Sequence, residues 1–139
     1  MMLGDISIFS IVLATIASIA IGFAWYGPLF GKTWAKEQGW SDMDMEKKKS
    51  EGGMGKAYGL MTVGSLLTAF VLSQFTQVAG AVTLLDGATI GLWAWLGFAV
   101  PLLLSSVLWE GKSWRLYQIN TGYQLVTMVV MGVIVAMWG

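Results

Sequence analysis

Tyr117, Asn120, Gln124 and Thr127 recur every three or four residues, with Tyr123 beside them, in a stretch from Leu116 to Gly139 that carries no charge. On a helix this spacing gathers side chains on one side. The chemistry on offer is hydrogen bonding, since phenols, amides and a hydroxyl donate and accept but none is a working acid or base at neutral pH. An amide in hydrocarbon has no water to bond, so Asn120 and Gln124 are expected to face protein. Two roles fit the face: bonds between helices, with the Ser/Thr stripe of the second apolar segment as partner, or contact with a solute.

The inventory narrows the function classes. The chain has no cysteine and no histidine, which removes thiolate nucleophiles, disulfides, zinc ribbons and the commonest general base and metal ligand. No ionisable residue lies deep in an apolar segment, because Asp5, Asp86 and Glu110 sit at segment boundaries. Proton relays and ion-coupled pumps place such groups within the membrane. Gly31-Lys32-Thr33 and Gly111-Lys112-Ser113 resemble the end of a phosphate-binding loop, which needs a glycine five positions earlier, where Tyr26 and Ser106 stand. The expectation is a protein that is not an enzyme and binds no cofactor, metal, nucleotide or nucleic acid. A lipid-modifying use of Glu110 and Lys112 is the remaining catalytic reading.

The elements that position the polar face are set by hydropathy. The 139 residues are 56% hydrophobic and 12% charged, about half the charged share of a soluble domain. Four uncharged stretches are each long enough to cross ~30 Å of hydrocarbon as a helix. Only segments that satisfy their own backbone hydrogen bonds do so. The expected fold is all-α: one polytopic membrane domain over residues 1–139 with helices near 6–26, 57–80, 88–109 and 116–138. A connector, 27–56, holds a short interfacial helix. Met1–Asp5 lacks a basic residue and the first stretch ends in bulky residues, so it reads as a retained helix and not a signal peptide.

All eight basic residues fall in two connectors: Lys32, Lys36, Lys47, Lys48, Lys49 and Lys56 in the first, Lys112 and Arg115 in the second. Basic residues flanking spans stay on the cytoplasmic side. A multi-pass protein of the cell membrane is expected, with 27–56 and 110–115 cytoplasmic and both termini outside. Trp25, Tyr26, Tyr58, Trp109, Trp114 and Tyr117 should then mark the inner boundary, and Trp93, Trp95 and Trp138 the outer one, as anchoring rings.

Pro28 is expected to stop helix 1 at Gly27. An interfacial helix over Leu29–Trp40, a polar helical turn over Ser41–Ser50 and a hinge at Glu51–Gly55 should follow. Asp86-Gly87 reads as the outer turn and Glu110–Ser113 as the inner one. Pro101 should kink the third helix. Small residues form stripes that permit close packing or self-association: Ser10, Ala14, Ser18, Gly22; Thr62, Ser65, Ala69, Ser73, Thr76, Gly80; and Gly87, Gly91, Ala94, Gly97, Pro101, Ser105. Gln74 and Gln77 are placed toward the outer half, partly solvated. The likeness of Gly31–Trp34 to Gly111–Trp114 raises a parallel duplication.

The run Trp25-Tyr26-Gly27-Pro28-Leu29-Phe30-Gly31-Lys32-x-Trp34, with Ile119-Asn120-x-Gly122-Tyr123 and four hydrophobic segments, resembles the prokaryotic domain-of-unknown-function family numbered 1761. The resemblance implies a small four-helix membrane protein and carries no reaction, substrate or catalytic residue. The leading functional expectation is a self-associating bundle that binds or passes a small solute. Its rival is a structural or accessory subunit docking on another membrane protein.

Overall fold

The computed structural model describes residues 7–38 and 53–138. Among them every regular element is helical, in the order α1 (Ile8–Ala24), a π-turn (Trp25–Leu29), α2 (Gly31–Gln38), α3 (Gly53–Ala79), α4 (Leu84–Ala94), a second π-turn (Trp95–Ala99), α5 (Val100–Leu108) and α6 (Trp114–Trp138). Four helical stretches are long and apolar enough to cross a membrane: Ile8–Leu29, Gly59–Ala79, Leu84–Leu108 and Trp114–Trp138. The all-α, four-span expectation therefore stands. The expected polar turn at Ser41–Ser50 lies outside the described residues.

Several boundaries differ from expectation for local reasons. Pro28 does not end the first helix at Gly27. The chain widens into a π-turn, with the Phe30 N–H reaching the Trp25 carbonyl at 2.8 Å, and breaks at Phe30 (φ −126°, ψ 5°). A five-residue loop of this kind absorbs the missing proline donor without unwinding the helix. Pro101 behaves similarly: the interruption falls just upstream, at Trp95–Ala99, and the proline opens α5, where its lack of an N–H costs little. Asp86-Gly87 is not the outer turn. Gly80 takes φ +70°, a conformation cheap only for glycine, and Thr83 caps α4 by accepting the Asp86 N–H at 3.1 Å. Asp86 thus lies in the first helical turn, where the helix dipole favours a carboxylate. Gly53–Gly55, expected within a hinge, begin α3 as helix.

The helix α6 is central. It packs most extensively against α4, then α1, and also touches α3 and α5. Connectors at residues 30–38 and 109–113 mark one end of the bundle, the connector end. The opposite end carries Ser7, the Gly80–Thr83 turn and Trp138, where the Ser7 hydroxyl donates to the Trp138 carbonyl at 3.2 Å. Toward that opposite end the interior is tightly filled by Ile11, Ala14, Ala69, Leu72, Ala94, Met131, Ile134 and Val135. There Gly87 and Gly91 of α4 meet Gly132 of α6 backbone to backbone. A Cβ on Gly87 would stand 2.8 Å from Val133 Cα, and one on Gly91 2.8 Å from Val129 Cα. The small-residue stripe is thus an internal seam in its upper part. Gly97, Pro101 and Ser105 below it face outward.

At the connector end, α2 is tied to the second connector. Ser113 caps α6, accepting the Leu116 N–H at 3.1 Å while its hydroxyl donates to Glu37 at 2.5 Å. Arg115 lies 4.0 Å from the same carboxylate but is two-thirds exposed, so the pair adds little. The two glycine–lysine–hydroxyl runs play different parts: Gly31-Lys32-Thr33 begins α2, whereas Gly111 (φ +71°) turns the chain ahead of the Ser113 cap.

Candidate functional site

The two π-turns each begin with tryptophan, in Trp25-Tyr26-Gly27 and Trp95-Leu96-Gly97, and both indoles bond to α6. Trp25 Nε1 donates to the Ile119 carbonyl at 2.9 Å, and Trp95 Nε1 to the Thr121 carbonyl at 2.8 Å. Residues two apart lie on nearly opposite sides of a helix at about 100° per residue, so α6 is gripped from both flanks. A helical carbonyl keeps a second lone pair for such a donor. Trp25 also needs Gly122, where a Cβ would stand 3.0 Å from its Cζ2. Neither indole serves as a boundary anchor alone, and Trp95, expected at the outer boundary, lies midway along the third span. Trp93, Trp109, Trp114 and Trp138 remain exposed on the bundle's exterior, as rings in an aromatic belt do.

Next to the first clamp is an aromatic–amide cluster. The Tyr26 hydroxyl donates to Asn120 Oδ1 at 2.8 Å. Its ring meets Tyr123 (centroids 5.2 Å apart, 59°) and Trp34 of α2 edge-on (5.8 Å, 74°). Tyr123, buried, donates to the Ser18 carbonyl at 3.2 Å. Phe30 packs on Trp25 at 4.7 Å. Gly31 is required beneath Tyr26, since a Cβ there would come within 3.2 Å of the Tyr26 carbonyl carbon. The run Trp25–Trp34 and the run Ile119–Tyr123, read separately in the sequence, are thus a single structural unit: Trp25 on Ile119 and Gly122, Tyr26 on Asn120 and Tyr123.

The polar face of α6 does not converge on one point. At about 100° per residue, Tyr117 and Gln124 fall on one edge of the stripe and Tyr123 on the other, roughly 120° away. Because α6 is central, the edges meet different helices. Tyr117 donates to the Val100 carbonyl at 2.9 Å, beside Pro101, whereas Asn120 and Tyr123 turn to α1 and its π-turn. Thr127 is buried and Gln124 half-buried. The expected partnership of Asn120 with the Ser/Thr stripe of α3 is replaced by Tyr26. Gln74, expected to be partly solvated, is buried, and Gln77 Nε2 donates to Ser73 Oγ at 3.3 Å.

Between α1, its π-turn, α3 and α6 lies a cavity of about 230 Å³ lined by Ile19, Gly22, Phe23, Tyr26, Gly27, Met61, Thr62, Ser65 and Tyr123. Every one of these side chains is uncharged. Phe23, Gly27 and Met61 are exposed at its mouth, which opens on the outer surface of the bundle between α1 and α3. The lining from α3 was legible as the start of its Ser/Thr stripe, and Gly22 as the end of the stripe in α1. Phe23 and Met61 gave no signal, since only the approach of two helices makes them neighbours.

The Tyr26–Asn120 bond is testable on its own. A double-mutant cycle of Tyr26→Phe and Asn120→Leu, read by unfolding in mixed micelles, should give a coupling of about 1 kcal/mol, in the upper range for bonds between membrane helices. Strictly additive losses would show that the pair does not interact in the folded bundle.

In comparisons with known proteins, neither a curated protein nor a solved structure matches the chain. A family model does match, over residues 9–136, nearly the whole sequence and both motif runs. The chain belongs to the family described as Protein of unknown function (DUF1761).

Proposed function

We propose that the protein is a non-enzymatic membrane protein that holds a small, neutral, mainly apolar molecule in the cavity between α1, α3 and α6. The observation that carries this reading is the cavity itself. It is uncharged, roofed by two tyrosines fixed by hydrogen bonds, and larger than the roughly 150 Å³ that accommodates benzene. Binding fits better than passage through one chain, because toward the opposite end the space between α1, α3 and α6 is filled by Ile11, Ala14, Ala69, Leu72, Met131 and Val135. A path for a solute would have to run between copies of the chain. The absence of cysteine and histidine from the sequence supports a role without catalysis.

Naphthalene is a suitable probe by size. Equilibrium dialysis against nanodiscs with and without the protein should show protein-dependent uptake. Ser65→Phe, which puts a ring into the cavity, should weaken that uptake at least about ten-fold while leaving the unfolding midpoint in place. Equal uptake by both proteins would overturn the reading.

The same proposal places the lysine-bearing connectors in the cytoplasm and both termini outside, because basic flanks are retained on the inner side. The chain has no cysteine, so Glu110→Cys introduces a unique thiol on an exposed turn. It should react with an impermeant maleimide only after cells are opened. Labelling of intact cells would reverse the orientation.

A further inference from the structure

We infer that the molecule held in this cavity carries a hydroxyl group: it is a neutral lipophilic alcohol or phenol whose O–H bonds to the tyrosine pair. The inference rests on the cavity being a binding site and specifies what that site selects. Each tyrosine has a single hydroxyl hydrogen, and both are committed, Tyr123 to the Ser18 carbonyl and Tyr26 to Asn120 Oδ1. What the phenol oxygens have left is lone pairs. A hydroxyl that already donates is a better acceptor, because hydrogen bonds in a chain polarise one another. The Tyr123 oxygen lies at the cavity wall, since a Cβ on Gly22, itself a lining residue, would stand 3.3 Å from it.

The remaining polar lining is Thr62 and Ser65, one helical turn apart on the same side of α3. A ligand hydroxyl can donate to a tyrosine oxygen and accept from the Ser65 hydroxyl. A ketone or quinone cannot, because its carbonyl would set lone pairs against lone pairs at the tyrosines. A carboxylate finds no cation in the lining, and an ammonium finds no carboxylate. The mouth between Phe23 and Met61, each more than half exposed, leaves the apolar remainder of the ligand free to extend outward between α1 and α3. Entry would be sideways, from the hydrocarbon of the bilayer.

Three probes with one ring system separate the possibilities in the dialysis experiment: 2-naphthol donates and accepts, 2-methoxynaphthalene only accepts, and naphthalene does neither. With the full chain in nanodiscs, 2-naphthol should bind about ten-fold more tightly than 2-methoxynaphthalene, each corrected for uptake by empty nanodiscs. Tyr123→Phe should bring that ratio to within about two-fold. Should Tyr123→Phe weaken naphthalene as well, the packing has been disturbed, and the ratio in Tyr26→Phe decides in its place. Equal affinity for 2-naphthol and 2-methoxynaphthalene in the unsubstituted protein, with uptake still lost in Ser65→Phe, would overturn the hydroxyl inference and leave the binding site standing. Protein-dependent uptake of none of the three would overturn both.

Discussion

Gly91→Ala should destabilise the folded bundle by about 3 kcal/mol, the upper end of what one inserted carbon costs in a packed interior. The reason is what the new carbon meets. Its nearest neighbours are the backbone of Met128 and the Cα of Val129, and a backbone has no rotamer to move aside. Relief would require α4 and α6 to separate, opening the seam that Gly87 and Gly132 share. Without a hydrophobic drive between helices in lipid, that close approach is a main source of packing energy. Gly64→Ala provides the contrast, since nothing lies within 4 Å of the carbon it adds. It should be neutral, or stabilising by about 0.5 kcal/mol through reduced backbone freedom. Unfolding midpoints in a denaturing-detergent titration would report both. Equal losses in the two variants would mean that the seam does not hold the bundle together.

Trp25→Ala should cost about 2 kcal/mol by the same measurement, less than the 3–5 typical of a fully buried large aromatic because the ring is only half covered. Trp25→Phe should lose about half as much, keeping ring contact but not the indole donor to the Ile119 carbonyl. Gly122→Val should reproduce the loss from the other side, because its side chain would enter the space beside Trp25 Cζ2. Combining Trp25→Ala with Gly122→Val should then cost little more than either alone, since both remove one contact. Additive losses would show the two residues acting separately.

How much of this was legible in the sequence follows from the physics of each feature. Four spans were, because crossing hydrocarbon demands uninterrupted apolar length, and the lengths of 21–25 residues meet that demand. The polar face of α6 was also legible, from spacing alone. Which helix each residue would meet was not, because the stripe spans an arc wide enough to touch two neighbours. Asp86-Gly87 has turn composition, yet in the structure Thr83 caps the helix three residues earlier, and Gly87 is needed for its small size and not for its flexibility. Both prolines signalled an interruption, but a π-turn and a helix end carry the same local signal. The pairing of Trp25 with Trp95 had a trace in the repeated Trp-x-Gly, which is too short to stand out in a chain with 8 Trp and 18 Gly. Gly22, Thr62 and Ser65 stood out as members of small-residue stripes, but nothing in the sequence marked them as cavity lining, since the cavity exists only where α1 and α3 come together against α6.

Photolabelling bears most directly on the cavity as a binding site. A small trifluoromethyl-phenyl diazirine, activated in nanodiscs containing the protein, should place most of its label on peptides carrying Phe23 and Met61, and excess naphthalene should remove it. Label spread evenly over outward-facing residues such as Phe98 and Leu102, which are as exposed as the cavity mouth, and indifferent to naphthalene, would show that the cavity holds nothing that the surrounding lipid does not.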